Sequence, residues 1–120
     1  MHTITKKFSF SASHELNGLQ ISHPCSRLHG HNYEVTIILQ SESLDEIGFV
    51  MDYRKLDLFK EWLDSRFDHR HLNDVVDFNP TAENLAKYIF DNWSKTYPIL
   101  KAIEVSETPK TTARYECTIN

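Results

Sequence analysis

The stretch that decides the fold is "HGHNYEVTIILQ", His29 to Gln40. Its odd positions, His29, His31, Tyr33, Val35, Ile37 and Leu39, share one side of an extended chain, while Asn32, Glu34, Thr36 and Gln40 take the other. That period of two is the pattern of a half-buried strand, and its inward row opens with two histidines. Upstream, "ITKKFSFSASH" places Ile4, Phe8, Phe10, Ala12 and His14 on even positions with mostly polar residues between them. A second strand is expected there, and a histidine closes its apolar row.

Toward the C-terminus the period changes. "DYRKLDLFKEWLDSRF" brings back apolar residues at Leu56, Phe59, Leu63 and Phe67, the spacing of an amphipathic helix, with Asp52 placed to cap its first turn. A second helix is expected after "FNP", capped by Thr81, with Leu85, Ile89 and Trp93 as its buried stripe and ended by Tyr97–Pro98. Strand character returns in "KAIEVSE", where Ile103 and Val105 face inward and, by the same period, so does Glu107. "TPKT" reads as a hairpin loop and "TARYECTI" as the second arm. The order β-β-α-α-β-β, with antiparallel pairing and both helices on one face, is an α+β architecture. With no repeat, low-complexity tract or linker, residues 1–120 read as a single domain.

The totals narrow the function. Thirteen basic and seventeen acidic residues give a net charge of −4, and no basic run offers a footprint for a phosphate backbone, so a nucleic-acid partner is not expected. No apolar run approaches membrane-spanning length, and "MHTITKKFSF" lacks the apolar core of a secretory signal. The expectation is a soluble, cytoplasmic protein. A chain of 120 residues is small for a buried active site built by one subunit alone, which points to assembly. A stabilising disulfide is a poor account of the two cysteines, Cys25 and Cys117. Cys117 reads as a small apolar residue on a strand. Cys25 differs, because it stands four positions ahead of His29–Gly30–His31.

A histidine pair spaced by one residue is a weak metal motif alone. Its weight comes from the strands, because i and i+2 side chains project to one side and His14 lies at the inward end of a different strand. If the two ends adjoin, three neutral imidazoles can converge at about 2.0–2.1 Å on one ion and leave a position open, as in a catalytic Zn²⁺ site. Two other readings stand: a structural site closed by Cys25, and ordinary strand-end histidines satisfied by carbonyls and water. His2 and His23 read as surface or loop residues, and His71 as a loop or helix-end residue. In "RFDHRHLND", Asp68–His69 is either an acid/base pair, with the carboxylate orienting the imidazole, or a histidine answering a helix dipole. Glu107 on an inward face must be paired or functional, since burying a lone carboxylate is too costly. The guanidine-like edge of a pterin or guanine would satisfy it; so would Arg114.

Taken together, "SFSASHEL", "CSRLHGHNYEV", "GFVMDYRKL", "FDHRHLND", "NPTAENLAKYIF" and "SET" resemble, in order and over nearly the whole chain, the 6-pyruvoyltetrahydropterin synthase family. Within it, the Cys-x-x-x-His-Gly-His spacing is similar to the branch of 6-carboxy-5,6,7,8-tetrahydropterin synthases of the queuosine pathway. The resemblance implies a tunnelling fold in which each subunit gives a four-stranded antiparallel sheet and two helices, three subunits close a barrel, and two trimers stack as a homohexamer. It implies one Zn²⁺ per subunit on His14, His29 and His31, a catalytic Cys25, an Asp68–His69 proton-transfer pair, Glu107 as pterin anchor and catalytic residue, and Thr81 in the pterin pocket. The implied activity is that of a carbon–carbon lyase converting 7,8-dihydroneopterin triphosphate to 6-carboxytetrahydropterin, acetaldehyde and triphosphate. Two alternatives differ in kind: pyruvoyl synthesis, which eliminates triphosphate without cutting the side chain, and a non-catalytic zinc or pterin-binding module. No nicotinamide cofactor is expected of a chain with three glycines and no dinucleotide fingerprint.

Overall fold

In the computed structural model, which describes residues 1–118, the strand signals become one antiparallel run of long strands. β1 (His2–His14) pairs with β2 (His29–Ser41), β2 with β4 (Leu100–Thr108), and β4 with β5 (Thr111–Glu116). The expected hairpin turns at Pro109–Lys110. Its second arm stops at Glu116, short of the expected end, and Ile119 lies outside the described residues. A fifth strand, β3 (Arg70–His71), is only two residues long and runs parallel to β1, so the sheet order is β3-β1-β2-β4-β5. Two residues carry no periodicity, which is why the sequence suggested four strands. His71 is therefore a strand residue as well as the N-cap of a short α2 (Leu72–Val75).

The two main helices follow their signals. Asp52 accepts from the Arg54 N–H and caps a 3-10 turn, Tyr53–Leu56, that leads into α1 (Asp57–Phe67). Thr81 caps α3 (Ala82–Trp93) by accepting from the Asn84 N–H at 3.1 Å. α1 lies against β1, and α3 against β4 and β5. Leu56, Phe59, Leu63 and Phe67 from the first and Leu85, Ala86 and Ile89 from the second meet Phe8, Phe10, Tyr33, Val35, Ile37, Ile103 and Val105 of the sheet in one core. Full burial of such a side chain contributes about 1.5–3 kcal/mol, so this layer holds the sheet's inward face in place. The same face continues past Phe10, which stacks on Tyr33 at 4.9 Å and on Phe67 at 5.2 Å, to the histidine end of the strands. No helix among the described residues is long and apolar enough to cross a membrane.

Candidate metal centre and its surroundings

Register brings the histidines together. Antiparallel pairing sets His14 opposite His29 and Ala12 opposite His31, so three rings meet at one end of the β1–β2 pair. Their ring nitrogens all lie within 4.8 Å of one another, and His14 is fully buried. The hydrogen bonds at the other ring nitrogens fix the tautomers. His14 Nδ1–H donates to the Pro80 carbonyl at 3.0 Å, and His29 Nδ1–H to the Arg27 carbonyl at 2.7 Å. A carbonyl oxygen can only accept, so each Nδ1 carries the proton and each Nε2 keeps its lone pair. Those two lone pairs face each other 2.8 Å apart. Without a proton or a cation between them they repel. A proton is disfavoured, because burial pulls the His14 ring below the ordinary histidine value, against the pull of the Pro80 carbonyl, and His29 and His31 push it the same way as burial.

The third ring completes the argument: His31 Nε2 is buried and has no hydrogen-bond partner. Two opposed lone pairs and a third ring nitrogen without a partner fit a borderline divalent cation such as Zn²⁺. The group of mutually close ligand atoms comprises the three histidines only, so the Cys25 thiol is not a fourth, closing ligand in this arrangement.

Cys25 instead sits in the segment between the two ligand-bearing strands, on a 3-10 turn, Pro24–Ser26. Its N–H donates to His23 Nδ1 at 3.1 Å, and its carbonyl accepts from the Leu16 N–H at 2.9 Å. Glu107 comes inward as the period required. Its carboxylate stands 3.7 Å from His31 Nε2, while Arg114, the internal partner that could have satisfied it, is taken by Glu104 at 3.0 Å and Glu116 at 3.3 Å. Glu107 and Thr81 line the same cavity, of about 330 Å³, although the Thr81 hydroxyl is engaged in capping α3.

Asp68 and His69 form a pair with His69 Nδ1 at 3.0 Å from Asp68 Oδ2. Asp68 follows the last residue of α1, and its other oxygen accepts from the Ser11 N–H of β1 at 3.0 Å. The Ser11 amide, then His69, hold its carboxyl below the ordinary aspartate range. His69 has a left-handed backbone, φ 57°, and its N–H donates to the Ser11 carbonyl at 2.6 Å. That turn, uncommon outside glycine, ends the helix and leaves the ring 83% exposed. His69 borders a second cavity, of about 470 Å³, lined also by Ser11, Ser13, Asn32 and His31. Ser11, Ser13 and Asn32 alternate with the inward row, which puts them on the sheet face opposite the histidine trio, and the cavity reaches from there to His31. One chain thus brings together His14, His29, His31 and Glu107, and keeps Asp68–His69 on the other side.

Sequence reasoning missed the residues around the ligands. The Tyr33 hydroxyl lies 3.0 Å from His14 Nδ1, and its ionisation is pushed far up by burial and by Glu107. Its place in the inward row, two after His31, was a usable signal. The Pro80 and Arg27 carbonyls gave none, because backbone acceptors have no residue signature.

A family profile described as 6-pyruvoyl tetrahydropterin synthase matches residues 3–118. A 6-carboxy-5,6,7,8-tetrahydropterin synthase from Synechocystis is 37% identical over 125 aligned residues, covering 96% of this chain and 93% of that protein. A 6-pyruvoyl tetrahydrobiopterin synthase from Homo sapiens is 32% identical, covering 94% and 90%. The 6-pyruvoyl tetrahydropterin synthase structure from Caenorhabditis elegans superposes with a TM-score of 0.85 at 29% identity, over 98% of this chain and 96% of that one. The tunnelling fold implied by the motifs is the fold observed.

Proposed function

The chain belongs to the 6-pyruvoyl tetrahydropterin synthase family, and from that membership we propose that it is a zinc-dependent 6-carboxy-5,6,7,8-tetrahydropterin synthase of 7-deazaguanine and queuosine biosynthesis. It acts in the cytoplasm on 7,8-dihydroneopterin triphosphate as a carbon–carbon lyase, releasing acetaldehyde and triphosphate. The observation that carries this reading is the convergence of His14, His29 and His31 beside Glu107, at 3.7 Å from His31. A ligand set for a cation and an acceptor without a cationic side-chain partner meet at one place.

In this reading His14, His29 and His31 hold the ion. Zinc supplies Lewis acidity to the diol of the substrate side chain when bound. Glu107 accepts two parallel hydrogen bonds from the amino and ring N–H groups of the pterin, with Thr81 on the wall of the same pocket. Cys25, as thiolate, removes a carbon-bound proton. His69, oriented through Nδ1 by Asp68, returns a proton to the ring or side chain. Asp68–His69 lies on the face away from the ligands, so a complete centre needs a second copy to present it. The sheet offers the means: β5 has a neighbour on one side only, and β1 is covered on its far side only at Ala12–Ser13, leaving backbone free to pair with other copies. The assembly proposed is a homohexamer, two stacked trimers.

Incubation of the purified protein with 7,8-dihydroneopterin triphosphate tests the reading, with acetaldehyde and pterin products measured together. Acetaldehyde with the carboxy product is expected. A pyruvoyl product without acetaldehyde would move the protein to the other activity, which the human relative's name favours. Metal binding with neither product would make it a binding module.

A further inference from the structure

Residues 15–28, which carry Cys25, leave the sheet after His14 and rejoin it at His29. Within this segment most of the hydrogen bonds are short-range: the His23 N–H donates to the Gln20 carbonyl at 2.8 Å and the Ser26 hydroxyl to the His23 carbonyl at 2.7 Å. The Leu16 N–H spans it, donating to the Cys25 carbonyl at 2.9 Å. The place of Cys25 thus depends on what holds Leu16, and β3, which covers β1 only at Ala12–Ser13, does not reach that far.

Two asparagines take over where the strand stops. Asn73, on α2, accepts from the Glu15 N–H through Oδ1 at 2.8 Å and donates through Nδ2 to the Glu15 carbonyl at 2.9 Å. Asn79, between α2 and α3, does the same to Asn17, at 2.8 and 3.0 Å. A side-chain amide carries the donor and acceptor of a peptide group, so each asparagine imitates one residue of a neighbouring strand. The partners alternate as they do along a strand: Glu15 and Asn17 meet the asparagines, and Leu16 between them meets Cys25. Neither amide can be turned over, because its N–H₂ would then face an N–H and its oxygen a carbonyl. Both asparagines are half-buried, and Asn79 is itself held, its carbonyl accepting from Asn84 Nδ2 at 2.9 Å.

We infer that Asn73 and Asn79 are positioning residues for Cys25 that act through Leu16: they clamp the backbone on either side of it, and its N–H then fixes the turn that carries the thiol. The inference rests on the functional reading above for what the thiol does, and on the hydrogen bonds alone for how it is held.

Hydrogen exchange resolved to single amides, on the purified, metal-loaded protein, tests it with Asn73→Ala, Asn79→Ala and Asn92→Ala. The Leu16 amide bonds to neither asparagine, so its protection reports the clamp rather than the deleted group. It should exchange about tenfold faster in each of the first two variants. It should keep the wild-type rate in Asn92→Ala, which removes an amide that donates to the Tyr88 carbonyl within α3. Where an alanine variant does not fold, the aspartate variant replaces it, keeping the acceptor and losing the donor, with a smaller change of the same sign expected. Turnover of dihydroneopterin triphosphate should fall about 10- to 100-fold in kcat, with KM within about twofold and metal content unchanged, as for a displaced reacting group. Wild-type exchange at Leu16 in both asparagine variants overturns the inference; so does wild-type kcat in a variant whose Leu16 amide is freed, or metal loss that accounts for the lost turnover. If wild type turns over no substrate, the functional reading falls and alkylation of Cys25 by iodoacetamide, mapped by mass to separate it from Cys117, replaces kcat. That rate should change severalfold in the Asn73 and Asn79 variants and not in Asn92→Ala, and equal rates in all of them overturn the clamp.

Discussion

The two faces of the β1–β2 pair, at the same end of the same strands, give their histidines different surroundings. The inward face holds His14, His29 and His31, buried or half-buried, their lone pairs turned toward one another and Glu107 beside them. The outward face carries Ser11, Ser13 and Asn32 with His71, which meets the Ser13 hydroxyl at 2.9 Å, and the exposed His69. The same residue type meets different partners on each side. Inward, burial outweighs the Pro80 carbonyl and holds His14 below the ordinary histidine value, while carbonyls at Nδ1 of His14 and His29 turn each Nε2 lone pair toward the other. Outward, a carboxylate at Nδ1 orients the His69 ring and leaves its other nitrogen exposed. Partner and burial, not the histidine itself, decide which role is available.

The most damaging way to break the contrast is to remove a ligand from the inward face. His29→Ala is expected to lower bound zinc from about one per chain to background, and turnover with it, by metal analysis alongside product assay. Full metal occupancy in that variant would end the proposed centre. Next in size, His69→Gln on the outward face should leave zinc in place and lower turnover by about 10²–10⁴-fold, the range of a lost general acid or base. Loss of metal instead would mean that the two faces are not separate in function.

Smaller changes sharpen the comparison. Tyr33→Phe deletes the hydroxyl beside His14 Nδ1 while keeping the ring that stacks on Phe10. Zinc affinity, read by competition with a chelator, should fall by about 10-fold and at most about 100-fold, the usual cost of losing a group that orients a ligand. Smallest, Thr81→Ala removes the cap of α3 and should cost about 1 kcal/mol in denaturant unfolding. If the Michaelis constant for the pterin stays within about twofold at that cost, Thr81 is a cap that happens to line the pocket; a larger rise assigns it a role in binding.

Much of this was legible before any coordinates. Leu56, Phe59, Leu63 and Phe67 declared α1 through their spacing, and all four are buried. Thr81 and Asp52 were recognisable as caps because a short polar side chain before an apolar stripe has one common use. β3 was invisible, since Arg70 and His71 join the sheet only where the end of α1, turned by His69 and tied through Asp68 to Ser11, delivers them to β1. Nor could the pattern choose between Glu107 free and Glu107 paired with Arg114; cross-strand neighbours Glu104 and Glu116 claimed that guanidinium.

The sequence by itself determined that His14, His29, His31 and Glu107 lie on apolar faces, because side-chain alternation is a property of the extended backbone and survives any choice of partner strand. Only the tertiary structure decided that these residues meet, and that His69 and His71 stand with Ser11 and Ser13 on the opposite side. Register, parallel pairing and the Pro80 carbonyl that sets the His14 proton come from contacts between segments remote in the chain, and those contacts are selected by burial of the whole core rather than by any local run of residues.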